Sequence, residues 1–244
     1  MFEYSGKTYE YKDKSFVTNW KITSIPDLVL WLEPSKKNIL SDDGGRIHTW
    51  RDISGKANHA TQNTQTKKPY VTDPTFNGYN YVYFDDNKTL EVDLYVDYFT
   101  IFVVNNSNDN QYIYQFGDTG STSGFYLNGD LNSISVKSGS TISTKSAGYV
   151  WNQGKGWRTL VHYYSGTHSS NILRINNASI FLDNYLNYTG SPGHIGIKQK
   201  LYIGGQSSGN GFNGGIAEFI LFNRKIENYE RDLVQNYINT KYNL

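Results

Sequence analysis

Apolar and polar residues alternate along most of this chain in short runs that turn-forming residues separate. Alternation with a period of two is typical of β-strands with one buried face. The predicted strands are residues 28–32, 81–84, 89–96, 99–104, 111–116, 124–128, 133–136, 157–164, 171–176, 178–182, 200–205 and 216–222. Many short strands of this kind predict an all-β, antiparallel sandwich rather than alternating β and α units.

The last part of the chain has a different period. Beyond Ile226, apolar residues recur three or four positions apart, at Tyr229, Leu233, Val234, Tyr237 and Ile238. This spacing predicts one C-terminal α-helix with an apolar face against the sandwich.

The first 24 residues form a separate arm in this reading. Aromatic residues alternate on both sides of Ser5-Gly6, in the segment FEYSGKTYEY, which indicates a small hairpin. A two-stranded ribbon is marginally stable alone, so we expect it to dock on the body or on a partner. The domains are therefore predicted as an arm over residues 1–24 and a sandwich over residues 25–244.

The composition argues against several classes of partner and of chemistry. The net charge is +1, which does not favour nucleic acid or anionic lipid as a partner. Cysteine is absent, which excludes thiol catalysis and disulfides. No apolar run is long enough for membrane insertion, and the first residues lack the apolar core of a signal peptide, so we expect synthesis in a cytoplasm.

Several segments together resemble one structural superfamily. They are LVLWLEP (28–34), DDGGRIHTWRDISGKANHATQ (42–62), PYVTDPTFNGYNYVYFDDNKTLEV (69–92), FTIFVVN (99–105), WRTLVHYYSG (157–166) and the stretch from 201 to 242. In order and spacing they are similar to laminin G-like modules of the concanavalin A-like lectin/glucanase superfamily, in the variant found in bacteriophage virion proteins and bacterial surface proteins. The resemblance implies a jelly-roll sandwich.

The same resemblance implies a role. We expect a non-enzymatic structural protein on the surface of a phage particle, as a capsid decoration, tail fibre or baseplate component that helps host attachment. Residues 1–24 would dock on other virion proteins, within a homo-oligomer or a larger assembly. The alternatives are a bacterial surface module for carbohydrate binding and adhesion, and a polysaccharide hydrolase.

A glycine-rich loop precedes the last predicted strand. It could cradle a phosphate, but no Gly-Lys-Ser/Thr follows and the next element is a strand rather than a helix. We therefore interpret Gly204, Gly205, Gly214 and Gly215 as positions where the chain passes between sheets and a Cβ atom would collide.

Host-surface glycan is the predicted ligand, because flat aromatic rings beside polar groups suit sugar binding. Trp151 is the first candidate, since Gly148, Gly154 and Gly156 place it in a loop. Further candidates are Tyr126, Asn128, Asp130 and Tyr185.

Two constellations could carry catalysis. Glu91, Asp93, Tyr95 and Asp97 alternate onto one face of a strand, where glucanases of this superfamily carry a pair of glutamates; the second glutamate is missing here, and we expect the solvent face of an edge strand. The segment TWRDISGKANHA holds Asp52, Ser54 and His59, for which we expect a turn rather than a catalytic triad.

Metal sites receive little support from the sequence. The histidines lack the spacing of zinc ligands. Calcium remains an alternative to no cofactor, with Asp85, Asp86 and Asp118 as its candidate ligands, although turn formation explains all three.

Overall fold

The computed structural model describes residues 2–4, 7–9, 20–72, 76–96, 98–107, 112–117, 123–128, 133–138, 141–146, 156–164, 172–175, 178–180, 197–198, 200–205 and 211–244. Over these ranges the chain forms two large antiparallel sheets and one C-terminal helix. The predicted all-β sandwich with a terminal helix is confirmed. No helix in the described ranges has the length and apolar character needed to cross a membrane.

One sheet, called here the central sheet, has eight described strands. Its main path is β18 (Ala178–Ile180), β17 (Ile172–Ile175), β16 (Arg158–Tyr164), β11 (Phe99–Ser107), β21 (Gly214–Phe222), β8 (Val82–Phe84) and β7 (Tyr70–Val71), and β3 (Leu28–Leu32) pairs with β21 beyond β8.

The other sheet, the outer sheet, has nine described strands. In spatial order they are β15 (Thr141–Ser146), β14 (Ser133–Ser138), β13 (Ser123–Asn128), β12 (Tyr112–Phe116), β20 (Leu201–Ile203), β9 (Leu90–Val92), β6 (Ala60–Thr61), β5 (Ile47–Trp50) and β4 (Ile39–Ser41). The predicted strand 89–96 is two elements: β10 (Tyr95–Val96) follows β9 after a break and pairs with β19 (Ile197–Lys198).

Two apolar cores hold three layers together. The first core lies between the sheets and contains Trp50, Phe116 and Leu201 from the outer sheet with Phe99 and Phe219 from the central sheet. The second core lies between the other face of the central sheet and helix α1 (Asn228–Tyr242). The central sheet is thus covered on both faces, as its nearly continuous apolar strands require.

The glycines before β21 make the passage from β20 to β21 possible. A Cβ at Gly204 would lie 1.9 Å from Phe84 Cδ1, and one at Gly211 would lie 1.3 Å from the Asp86 carbonyl oxygen. Cβ atoms at Gly214 and Gly215 would lie 2.1 and 2.6 Å from their nearest neighbours. The predicted structural role is confirmed for Gly204, Gly214 and Gly215, although the last two already belong to strand β21, and it stays a prediction for Gly205.

The N-terminal strands β1 (Phe2–Tyr4) and β2 (Lys7–Tyr9) pair as an antiparallel hairpin, as the alternating pattern predicts. Among the described strands they pair only with each other. Ile22 lies in the second core at 1% exposure, in a short 3-10 turn over Ile22–Ser24. The domain boundary at residue 25 stays a prediction.

Candidate functional site

The predicted ligand-binding residues fall into two groups. Tyr126 and Asn128 lie on β13 of the outer sheet, opposite Gln115 and Tyr112 of β12. Four other candidates lie outside the described residues and remain predictions: Trp151, Asp130 and Tyr185 for the glycan, and Asp118 for calcium. Asp97, from the possible catalytic strand, also lies outside them.

Asp85 and Asp86 are exposed in a turn after β8. Asp86 has a left-handed φ of 45°, and its carbonyl accepts a hydrogen bond from the Lys88 amide at 2.6 Å. In the described part of the chain no group of three or more His, Asp or Glu side chains could hold a metal. Turn geometry accounts for both aspartates, and calcium stays an untested alternative.

A different set of polar residues comes together on the face of the outer sheet that points away from the core, and on the two-stranded sheet β10–β19 that continues it. Strands β9 and β10 run antiparallel to β20 and β19 in one register, from Leu90 opposite Ile203 to Val96 opposite Ile197. This register places three residues of one segment beside two of the other. We call this set the outer ladder: Glu91, Asp93, Tyr95, Lys200 and Tyr202.

The apolar neighbours of these residues fix the direction of the ladder. Leu90, Val92, Val96, Leu201 and Ile203 all lie in the core between the sheets. Because side chains alternate along a strand, the residues between them face away from that core. The predicted solvent face is therefore correct for this segment, but the predicted edge position is wrong, because β9 lies between β20 and β6.

Tyr95 is the exposed aromatic residue of the outer ladder. Large exposed apolar side chains in the described residues are Tyr95 at 51%, Leu244 at 38% and Tyr79 at 37%. Among these only Tyr95 belongs to the outer sheet side, since Tyr79 packs on Tyr242 of the helix. An exposed ring beside carboxylates and an ammonium offers one apolar surface with hydrogen-bonding groups around it.

Glu91 and Lys200 form an ion pair across the ladder. Lys200 Nζ lies 2.8 Å from Glu91 Oε2, and both side chains are partly exposed. An exposed pair of this kind contributes about 1 kcal/mol or less to stability. Glu91 is thus paired with a cation rather than with the second carboxylate that retaining glycoside hydrolysis requires.

The ladder continues sideways across the outer sheet. In register with Glu91 lie Thr61 and Thr49 on one side, and Tyr202, Gln115 and Tyr126 on the other. Adjacent strands are about 4.8 Å apart, so Tyr126 stands about 14 Å from Glu91 along this row. The backbone of the predicted Tyr126 thus lies in the same row of the outer sheet as Glu91.

Gln115 in this row is fully buried, and its Nε2 donates to the Gly117 carbonyl at 2.6 Å. Its Oε1 has no hydrogen-bond partner among the described residues. Tyr202, next to it in the row, is only 5% exposed.

The residues of the suspected triad form a turn instead. Ser54 Oγ donates to Asp52 Oδ2 at 2.7 Å, and His59 Nδ1 accepts from the Asp52 amide at 3.0 Å. The Ser54 hydroxyl and His59 Nδ1 are each hydrogen-bonded to Asp52 rather than to each other, so they do not form a nucleophile–base pair. The predicted turn with a structural histidine is confirmed.

This turn covers the free edge of β3. The Trp31 amide donates to Asp52 Oδ1 at 2.9 Å, and the Trp31 carbonyl accepts from the Ile53 amide at 2.9 Å. Asn58 Nδ2 donates to the Val29 carbonyl at 2.7 Å. Three outward backbone groups of the strand are therefore satisfied, which protects it from pairing with another chain.

The sequence pattern does not show that Lys200 and Tyr202 lie beside the strand face that carries Tyr95. A signal exists, because 200 and 202 alternate with buried residues in the same way as 91, 93 and 95. The pairing of two segments about a hundred positions apart supplies the missing information.

Comparison with known proteins places the fold but not a family. No protein-family model and no curated protein matches the chain. Domain 4 of AbnA, a GH43 extracellular arabinanase from Geobacillus stearothermophilus, in complex with arabinotriose, superimposes with a TM-score of 0.58 and 10% identity, covering 84% of this chain and 96% of that one.

Two further structures are similar over part of their length. The binding domain of Paraclostridial Mosquitocidal Protein 1 has a TM-score of 0.58 and 13% identity, covering 89% of this chain and 53% of that one. An arabinofuranosidase complexed with arabinofuranosyl-alpha-1,2-xylobiose has a TM-score of 0.56 and 14% identity, covering 88% and 59%. At these identities the likeness shows a shared β-sandwich fold.

Proposed function

We propose that this chain is a carbohydrate-binding module without catalytic activity, and that it holds its glycan on the outer ladder. The exposed ring of Tyr95 carries the proposal, because amphipathic rings on a rigid sheet give sugar contact area at low entropic cost. Glu91, Asp93 and Lys200 would supply acceptors and donors for the hydroxyl groups around that ring. The similar fold of an arabinanase domain in complex with arabinotriose supports this class of ligand.

The absence of catalysis is part of the proposal. A hydrolase of the retaining type needs two carboxyl groups about 5 Å apart, one of them as a protonated acid. Glu91 instead forms an ion pair with Lys200, whose Nζ lies 2.8 Å from Glu91 Oε2. We therefore expect wild-type protein to release no reducing ends from arabinan, xylan or β-glucan, and measurable release that Glu91→Gln abolishes would contradict this.

Replacing Tyr95 by alanine should weaken glycan binding about tenfold, equivalent to about 1.4 kcal/mol, because one stacking contact is lost. The measurement is titration calorimetry with arabinotriose, xylo-oligosaccharides, cello-oligosaccharides and bacterial surface polysaccharide. Tyr95→Phe should keep most of the affinity.

The chain offers a matched control in Tyr79, the other tyrosine that is exposed among the described residues, which lies on the helix side of the central sheet. Tyr79→Ala should bind glycan as the wild type does. Binding that survives Tyr95→Ala but is lost in Trp151→Ala would move the site to the predicted loop, and no binding to any glycan would remove the proposed function.

We further propose that the module stands on the surface of a phage particle and docks through its N-terminal arm. The hairpin β1–β2 supports this, because among the described strands it pairs with nothing else and has two edges for strand addition. A bacterial adhesion module is the alternative.

Deleting residues 1–19 should abolish incorporation into the parent particle while leaving the fold and glycan affinity intact. The deletion stops before Ile22 because that side chain lies in the second core. Occupancy on purified particles, measured by quantitative mass spectrometry, provides the test. Full occupancy of the truncated protein would show that the arm is not the docking segment.

A further inference from the structure

The last strand and the C-terminal helix share a buried carboxylate. Val104 of β11 pairs with Glu218, but the next residue, Asn105, pairs with Ile216, so Ala217 is the extra residue of a β-bulge. Between Glu218 and Phe222 the side chains alternate regularly, so Glu218 lies on the same face as Ile220 of the second core. Glu218 is fully buried and is directed at the helix rather than into the core between the sheets.

The helix provides most of the compensation for the Glu218 charge. Lys241 Nζ lies 3.1 Å from Glu218 Oε2, and Tyr237 Oη donates to Oε1 at 3.0 Å. The third donor in the described residues is Trp31 Nε1 of β3, at 2.6 Å. Two of the three partners would therefore leave with α1.

A second carboxylate, Glu33, follows β3 and shares the same lysine. Lys241 Nζ lies 3.4 Å from Glu33 Oε1. Burial raises the pKa of Glu33, but the Lys241 ammonium and hydrogen bonds with Ser35 together outweigh burial, so this pKa lies below its ordinary value. We call Glu218, Glu33, Lys241, Tyr237 and Trp31 the helix clamp.

The other titratable groups around the clamp in the described residues are tyrosines. Lys241 Nζ lies 5.0 to 5.5 Å from the ring centroids of Tyr79, Tyr237 and Tyr242. Burial, and then the Glu218 carboxylate, raise the pKa of Tyr237 and Tyr242 far above its ordinary value, so both phenols remain protonated donors. Glu33, whose pKa is lowered by the same lysine, is thus the clamp group that links the latch to acidic pH.

The two cores make separate release of the helix possible. The core between the sheets includes no residue of α1, whereas Val234, Ile238 and Tyr242 of α1 pack only in the second core. Loss of α1 would leave the first core in place. Proteins open in such cooperative units when a segment has its own set of contacts.

We propose that the helix clamp is an acid-sensitive latch, through which α1 detaches from the central sheet at low pH while the sandwich stays folded. The detached state would expose an apolar face built from Phe102, Val104, Val161, Ile220 and Phe222. A carboxylate with a lowered folded-state pKa stabilises above its unfolded value, about 4.5 for Glu33, and this contribution disappears as the pH falls through the folded value.

The other end of α1 has its own ion pair, which serves as the control. Arg224 donates to both Glu230 oxygens, at 2.6 and 2.7 Å, and Arg224 Nε lies 3.3 Å from Asp27. This cluster stabilises the helix start without involving Glu218.

Hydrogen exchange measured by mass spectrometry tests the latch. With intrinsic rates divided out, amide protection over residues 228–242 of the wild type should fall at least tenfold between pH 7 and pH 3, below the ordinary pKa of Glu33, while β11 and β21 keep theirs. Simultaneous loss of protection in α1 and β21, or full protection of α1 at pH 3, would overturn the proposal without any variant.

Variants then assign the effect to the clamp. Glu218→Gln with Lys241→Met removes both charges, and α1 of this double variant should have the same protection at both pH values. Arg224→Met with Glu230→Gln should keep the acid-dependent loss. If the second variant abolishes that loss, or the first one keeps it, the latch does not lie in the clamp.

Discussion

Replacing Asp52 by alanine should lower the free energy of unfolding by about 3 to 5 kcal/mol, because a buried carboxylate leaves several donors without a partner. Asp52 is 8% exposed and accepts four hydrogen bonds. Three come from the backbone amides of Trp31, Ser54 and Asn58, at 2.8 to 3.0 Å. Urea unfolding followed by tryptophan fluorescence measures the loss.

Two milder variants separate the hydrogen bonds from the volume change. Ser54→Ala removes one donor to Asp52 and should cost about 1 kcal/mol. Asp52→Asn keeps the size of the side chain, but its amide nitrogen cannot accept, so an intermediate loss follows. Asp52→Ala should also form dimers or aggregates at high concentration, since the edge of β3 is uncovered. An unchanged urea midpoint would show that these hydrogen bonds do not stabilise the fold. A monomeric Asp52→Ala variant would show that the turn does not protect β3.

The sequence predicts the strands well where burial alternates or is continuous over many residues. Strand β21 and strand β11 are apolar over most of their length, and both were predicted. Strands β6 and β7 have two residues each, which is too short for a period to be visible. The break between β9 and β10 interrupts a regular alternation, although both strands keep the same register with β20 and β19.

The candidate site depends on contacts between distant segments, which a pattern cannot supply. The alternation of Glu91, Asp93 and Tyr95 predicts a common face, but the proximity of Lys200 follows only from the pairing with β20. The same holds for Glu218. Its place in the sequence suggests an interior residue facing either core. Alternation with Phe219 and Leu221, which lie in the core between the sheets, places it on the helix side, where Lys241 approaches from α1.

Gly204→Ala should cost roughly 2 to 5 kcal/mol, from a left-handed backbone together with overpacking. Gly204 has a φ of +84°, and an added Cβ would lie 1.9 Å and 2.2 Å from Cδ1 and Cε1 of Phe84. Phe84 is fully buried, so its ring can move away only by displacing other core side chains. Thermal and urea unfolding measure the change.

Gly78 provides a control with the same backbone angle. Its φ is also +84°, but an added Cβ there would have no atom within 4 Å. Gly78→Ala should therefore cost only the left-handed term, about 1 to 2 kcal/mol, and the difference between the two variants measures the collision with Phe84. Combining Gly204→Ala with Phe84→Leu should destabilise less than the sum of the single changes, because a smaller side chain makes room for the methyl group. Additive effects would mean that Phe84 is not the obstacle, and equal losses at Gly78 and Gly204 would mean that the passage between the sheets needs glycine only for its backbone angle.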